Sequence, residues 1–134
     1  MKILVIGNGF LGTNIVQKLE SEGHDILVFS KTLRESQKCQ QIIGDIFDIS
    51  YFTKALLWEP QVIIHTAWVT THSLYTHDSS NYKYAKFTAE LAQHVVTGEF
   101  SHLIILGSCA EYGPQSVPSI AGESLLHPGS LYAE

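Results

Sequence analysis

Met1 to Gly12 is the stretch that most limits what this chain can fold into: a short apolar run, Ile3-Leu4-Val5-Ile6, ends in Gly7-Asn8-Gly9-Phe10-Leu11-Gly12 and passes into a helical pattern. Strand, then glycine turn, then helix is the context in which G-x-G-x-x-G marks a dinucleotide-binding loop. Gly7 would permit a tight turn, Gly9 a close approach of pyrophosphate to the backbone, and Gly12 close packing of the helix on the strand. The first amides of that helix would then face the phosphates, with the positive end of the helix dipole behind them.

The rest of the chain agrees with an α/β design. Leu11, Ile15 and Leu19 recur every four residues and predict one buried helix face, which Gly23 closes. Asp25 to Phe29 reads as a second strand, so the first helix is a crossover in a right-handed βαβ unit. Ile42 to Asp45 reads as a third strand, and Asp48 or Ser50 can cap a helix carrying Ile49, Phe52 and Leu56 that Pro60 stops. Gln61 to His65 is near-continuously apolar, as a strand covered on both faces should be. A Thr-, Ser- and His-rich loop over residues 66–80 follows, at the end of a central strand where ligands bind in open sheets. Tyr82 to Val96 is predicted helical with a Tyr84, Phe87, Leu91, Val95 stripe, and His102 to Leu106 is a fifth strand. The alternation predicts a doubly wound parallel sheet of Rossmann type in the order 3-2-1-4-5.

Composition narrows the partners. Thirteen acidic against eight basic residues leave a net charge of -5 without a basic cluster, which argues against nucleic acid and anionic membranes. Residues 1–134 are expected to form one domain. Cys39 and Cys109 lack C-x-x-C spacing and suggest reduced thiols, and neither a leader nor a long apolar run is visible. A soluble, cytoplasmic protein is expected. His72 and His77 share a loop but have no helical i, i+4 spacing and no ligand cluster, so no metal site is expected.

The end of the second strand bears on cofactor choice. An acidic residue there holds the ribose hydroxyls of NAD, whereas a basic one accommodates the 2′-phosphate of NADP. Ser30 occupies that position, with Lys31 and Arg34 close behind, so NADP is slightly favoured over NAD; a plain solvated loop is the alternative. Ser108 directly follows the fifth strand and is either a hydroxyl at the sheet's carboxyl edge or a turn and cap residue. Cys109 reads as a buried small residue rather than a nucleophile, and Trp68 as a pocket wall, a lid contact or ordinary packing.

Several ordered motifs together resemble the extended short-chain dehydrogenase/reductase family, the nucleotide-sugar epimerases, dehydratases and reductases. They are the glycine loop (one residue shorter than the commonest form), Gly44-Asp45-Ile46, Val62-Ile63-Ile64-His65-Thr66-Ala67, loosely Asn81, Ser108-Cys109-Ala110-Glu111-Tyr112-Gly113, and Pro128-Gly129-Ser130-Leu131-Tyr132. The resemblance implies that Asp45, with Ile46, contacts the adenine and that His65, Thr66 and Ala67 border the cofactor. It implies a catalytic Ser108 and a Tyr132 that acts as general acid/base on a sugar hydroxyl or carbonyl oxygen. A free tyrosine has a pKa near 10, and the family lowers it with a lysine one helical turn further on. That position, 136, lies two residues past Glu134. A fragment is therefore expected, lacking strands six and seven and the sugar-binding region, able to bind cofactor but a poor catalyst. A homodimer is implied for the parent protein, with Tyr84, Phe87 and Leu91 serving as core or interface. The competing reading is a non-catalytic NADP sensor or scaffold.

Overall fold

In the computed structural model, which describes residues 1–98 and 100–134, the apolar runs become five parallel strands. They are β1 (Lys2–Ile6), β2 (Asp25–Ser30), β3 (Gln40–Ile43), β4 (Val62–His65) and β5 (His102–Ile105), in the order β3-β2-β1-β4-β5. Three helices accompany them: α1 (Phe10–Ser21), α2 (Ile49–Leu56) and α3 (Asn81–Val96). The order is the one expected for a doubly wound sheet. Chain contacts divide the molecule into one unit of Met1–Trp68 with Lys86–Leu106, and another of Val69–Ala85 with Gly107–Glu134.

The sheet belongs to the first unit, and its central strand explains its stability. Ile3, Leu4, Val5 and Ile6 are all buried because both faces of β1 are covered. Ile3 and Val5 point to the α1 face, where they pack with Val16, Ile26, Val28, Val62 and Ile64. On the opposite face Phe87 of α3 meets Phe52 of α2 edge-on at 5.2 Å and the His65 ring at 5.5 Å. Side chains of a strand alternate in this way, so one continuous apolar run serves two cores.

Local expectations need five adjustments. The buried face of α1 is Gly12 and Val16, flanked by Ile15 and Leu19, while Leu11 is 53% exposed. Positions 12, 15, 16 and 19 form an i, i+3, i+4, i+7 stripe, and Leu11 lies beside it. In α2 the core residues are Phe52 and Ala55, whereas Ile49 is 72% exposed. That helix is capped by Asp48, whose Oδ1 accepts from the Ser50 amide at 2.9 Å. It ends at Leu56, ahead of Glu59 in a left-handed conformation, rather than running to Pro60. β3 starts at Gln40 and stops before Gly44, since its register with β2 pairs Leu27 with Gln40 and Ser30 with Ile43. Tyr84, Phe87 and Leu91 are buried within the chain, which removes them as interface residues.

The second unit contains the start of α3, a 3-10 turn (Cys109–Tyr112) and otherwise turns and irregular backbone. Gly113 fixes part of it. With φ at +62°, its missing Cβ would fall on the His127 carbonyl, and the His127 amide donates to the Glu111 carbonyl at 3.0 Å. Among the described residues no helix is long and apolar enough to cross a membrane.

Candidate functional site

The glycine loop shows three different reasons for three glycines. Gly7 has φ +100°, and a Cβ there would lie 2.7 Å from the Ala67 amide nitrogen and from Thr66 Oγ1. At Gly12 a Cβ would run into the Gly7 carbonyl oxygen. Gly9 differs from both, because nothing lies within 4 Å of the space its Cβ would fill. It is also the N-cap of α1 and supplies no capping side chain, and the first turn of the helix holds no acidic residue. No side chain caps the start of this twelve-residue helix, and the space beside Gly9 is open. A pyrophosphate fits such a helix start, since it brings the negative charge and acceptors that the helix end lacks. Thr66 secures the loop from β4 by donating from Oγ1 to the Ile6 and Gly7 carbonyls, at 3.1 and 3.2 Å.

Asn8 faces inward. Its amide exchanges two hydrogen bonds with the Gln37 amide, Nδ2 to Oε1 at 2.9 Å and Nε2 to Oδ1 at 3.0 Å, and both residues are buried. Phe10 and Leu11 are exposed. Beyond β2, Ser30 is buried and donates to the Thr32 carbonyl at 2.7 Å, so it shapes the turn. Lys31 lies 3.3 Å from the Asp45 carboxylate and over the Phe47 ring. Asp45 also accepts from the Phe47 amide, and Ile46 is buried behind it. Arg34 places one guanidinium nitrogen 3.3 Å from the Asn8 carbonyl oxygen.

At the end of β4, Thr66 and Ala67 meet the glycine loop, whereas His65 is only 2% exposed. Neither His65 ring nitrogen has a hydrogen-bond partner among the described residues. Burial pushes its pKa down to about 4, so the imidazole is neutral at pH 7. Its side chain is a core group, and the residues of this strand end that meet the glycine loop are Thr66 and Ala67. Trp68 is half-buried, with its ring 6.4 Å from that of His65.

In the second unit Ser108 is the N-cap of the 3-10 turn. Its Oγ accepts from the Ala110 amide at 3.2 Å, while its own amide donates to Glu111 Oε1 at 2.7 Å. The Ser108 side chain also takes the Glu111 amide, so Ser108 and Glu111 close a capping box. The expected alternatives for Ser108 are therefore compatible: its Oγ is used as an acceptor, and the hydroxyl proton is not spent in the cap. Cys109 is exposed rather than buried, because the 3-10 turn faces it outward. Cys39 is partly buried, and burial with Glu20 alongside pushes its thiol up to about 11. Tyr132 sits in a turn. Its ring meets Tyr75 edge-on at 4.8 Å, its amide donates to the Thr76 carbonyl at 3.2 Å, and the buried Asn81 side chain donates to the Tyr75 carbonyl at 2.7 Å. His72 and His77 are exposed, and no group of three metal-ligating side chains occurs among the described residues.

Gln37 and Gln41 are the residues that sequence reasoning passes over. Both lie in polar surroundings and belong to no motif, so nothing in the sequence signals them. The Ser108 box was readable, since S-x-x-E is a helix-start pattern.

The family model of the NAD dependent epimerase/dehydratase family matches residues 3–134. No curated protein matches the sequence. Among solved structures, a UDP-galactose 4-epimerase superposes with a TM-score of 0.84 at 22% identity, over 99% of this chain and 47% of its own. UDP-glucose 4-epimerase from Brucella ovis, in complex with NAD, gives 0.81 at 23% identity, over 98% and 43%. The Bordetella bronchiseptica enzyme WbmG, in complex with NAD and UDP, gives 0.78 at 20%, over 98% and 45%. These likenesses establish the fold, and the chain spans less than half the length of each.

Proposed function

Because the chain belongs to the NAD dependent epimerase/dehydratase family, we propose that residues 1–134 are the NAD(P)-binding domain of an epimerase, dehydratase or reductase acting on a nucleotide-activated sugar. The observation that carries this reading is the α1 N-terminus at Gly9, where the lack of a capping side chain and of a Cβ would leave a place for pyrophosphate. The NAD and UDP named in the solved complexes support the cofactor and the substrate class. A soluble, cytoplasmic protein and a homodimer of the longer parent belong to the same proposal.

The bound nicotinamide would supply a hydride acceptor or donor. The chain's own residues would do the rest. Gly7 to Gly12 would seat the pyrophosphate, with Thr66 and Ala67 closing the loop from β4. Asp45, already fixed by the Phe47 amide, would accept from the adenine amine beside the buried Ile46. Ser30 puts no carboxylate at the ribose, and Lys31 and Arg34 supply cations, which favours NADP over NAD. Ser108 would donate its hydroxyl proton to a substrate oxygen, holding it for transfer. Tyr132 would exchange a proton with the same oxygen once a cation lowers its pKa. No lysine follows Tyr132 within these residues, so the chain alone should bind cofactor and turn over poorly.

Fluorescence titration with NADH and NADPH tests the binding reading; micromolar saturation is expected, and no saturation by either would refute it. In a polypeptide that continues to a lysine at position 136, Ser108→Ala and Tyr132→Phe should each lower kcat/KM by about a hundredfold or more. Unchanged rates would favour the sensor or scaffold instead.

A further inference from the structure

The segment joining β2 to β3 is exposed almost throughout, yet one of its side chains, Gln37, is 7% exposed. Polar loops ordinarily stay in water. This one is drawn in because the Gln37 amide and the Asn8 amide satisfy each other twice, 29 residues apart in sequence and at the second position of the glycine loop. A buried amide left unpaired would be costly, so the reciprocal pair fixes the loop's position rather than merely tolerating it. Thr13 Oγ1 completes the arrangement by donating to Asn8 Oδ1 at 3.1 Å.

A second amide fixes the residue that matters. On β3 the Gln41 side chain takes the Arg34 amide on Oε1 at 3.0 Å and returns a bond from Nε2 to the Arg34 carbonyl at 2.8 Å. That same carbonyl also accepts from the Gln37 backbone N–H at 3.2 Å. The Arg34 backbone is thus held like a strand residue although no strand runs there. Its guanidinium reaches the Asn8 carbonyl with one nitrogen. A guanidinium has five donors in a planar fork, so one such bond leaves most of the fork for an anion. Among the described residues Arg34 makes no ion pair, whereas Lys31 is already matched with Asp45.

We propose that Gln37 and Gln41 are positioning residues that hold Arg34 beside the glycine loop, and that Arg34 rather than Lys31 reads the 2′-phosphate of NADP. The proposal rests on the dinucleotide reading given above. It accounts for two glutamines that no motif demands.

The test is titration of the 134-residue chain and its variants with NADPH and NADH, reading the ratio of the two dissociation constants. That ratio cancels general loosening of the fold, and thermal unfolding is followed alongside. The unsubstituted chain should favour NADPH by about tenfold or more. Arg34→Ala should bring the ratio to about one, with a larger loss of NADPH than of NADH affinity, while Lys31→Ala should alter it less than about threefold. Gln41→Ala, which removes the side chain that bonds the Arg34 backbone, should lower it by about threefold, and Gln37→Met should lower it at least as far. An unsubstituted chain that binds neither dinucleotide would overturn the dinucleotide reading and this inference together. Equal or tighter NADH binding would overturn the inference and the NADP preference but leave a dinucleotide site. A clear NADPH preference that survives in Gln41→Ala and Gln37→Met, or that falls with Lys31 instead of Arg34, would overturn this inference alone.

Discussion

Residues 7–12 and residues 107–113 are both glycine-bounded turns that leave the end of a parallel strand, and they are built by opposite means. In the first, glycines touch backbone: Gly7 faces the Ala67 amide, and Gly12 faces the Gly7 carbonyl. In the second, the contacts are side chain to backbone. Gly107 makes room for the Glu111 carboxylate, which turns back onto the Ser108 amide while Ser108 Oγ caps Ala110. Gly7, Asn8 and Gly12 are buried and only residues 9–11 between them are exposed, whereas no residue from Gly107 to Gly113 is buried. A turn enforced by packed backbone has one shape and little tolerance. A turn enforced by a capping box is replaceable at small cost.

Substitutions should separate the two turns by size of effect. Gly12→Val offers the largest effect, because backbone at the Gly7 carbonyl cannot yield as a flexible side chain can. A loss of about 3 kcal/mol or more is expected in urea unfolding, enough to unfold a marginal domain. A loss under about 1 kcal/mol would show that the loop is softer than its contacts imply.

The strand end beneath the glycine loop adds a pH dependence. The His65 pKa is about 4 in the folded chain against an ordinary 6.5, so as pH falls the unfolded chain takes up the proton first. This group therefore costs nothing above pH 6.5, destabilises progressively from there, and reaches its full cost of about 3 kcal/mol below pH 4. From pH 7 to pH 5 the loss should be about 2 kcal/mol, and His65→Leu should remove that share of the slope. An identical slope in the variant would mean that His65 does not stay neutral in the core.

Ser108→Ala gives the smallest effect. Loss of a cap should cost about 1 kcal/mol at most. It should appear as faster amide exchange at Ala110 rather than as a shift of the main unfolding transition. A shift as large as that of Gly12→Val would erase the distinction between the two turns.

The sheet was legible because its strands are apolar on both faces: Ile3 to Ile6 and Val62 to His65 need no alternation to be recognised. β3 was displaced because Gln40 and Gln41 do not read as strand. They pair through backbone, and Gln41 uses its side chain elsewhere. Leu11 misled because spacing by fours alone does not say which side of a stripe is buried, and Gly12, without a side chain to count, lies at its centre. Of the site, the glycine spacing and Ser108 were visible as motifs. The Asn8–Gln37 pair was not, since two amides meeting across 29 residues leave no periodic trace.

Gly9→Val followed by NADPH titration and thermal unfolding addresses the glycine loop without disturbing the rest. Gly9 has ordinary φ of -75° and open space around it, so the substitution should leave the unfolding temperature within about 2 °C of the unsubstituted chain. NADPH affinity should fall by about a hundredfold, because the side chain occupies the place proposed for the pyrophosphate. Undiminished NADPH binding in the folded variant would contradict a pyrophosphate site at the start of α1.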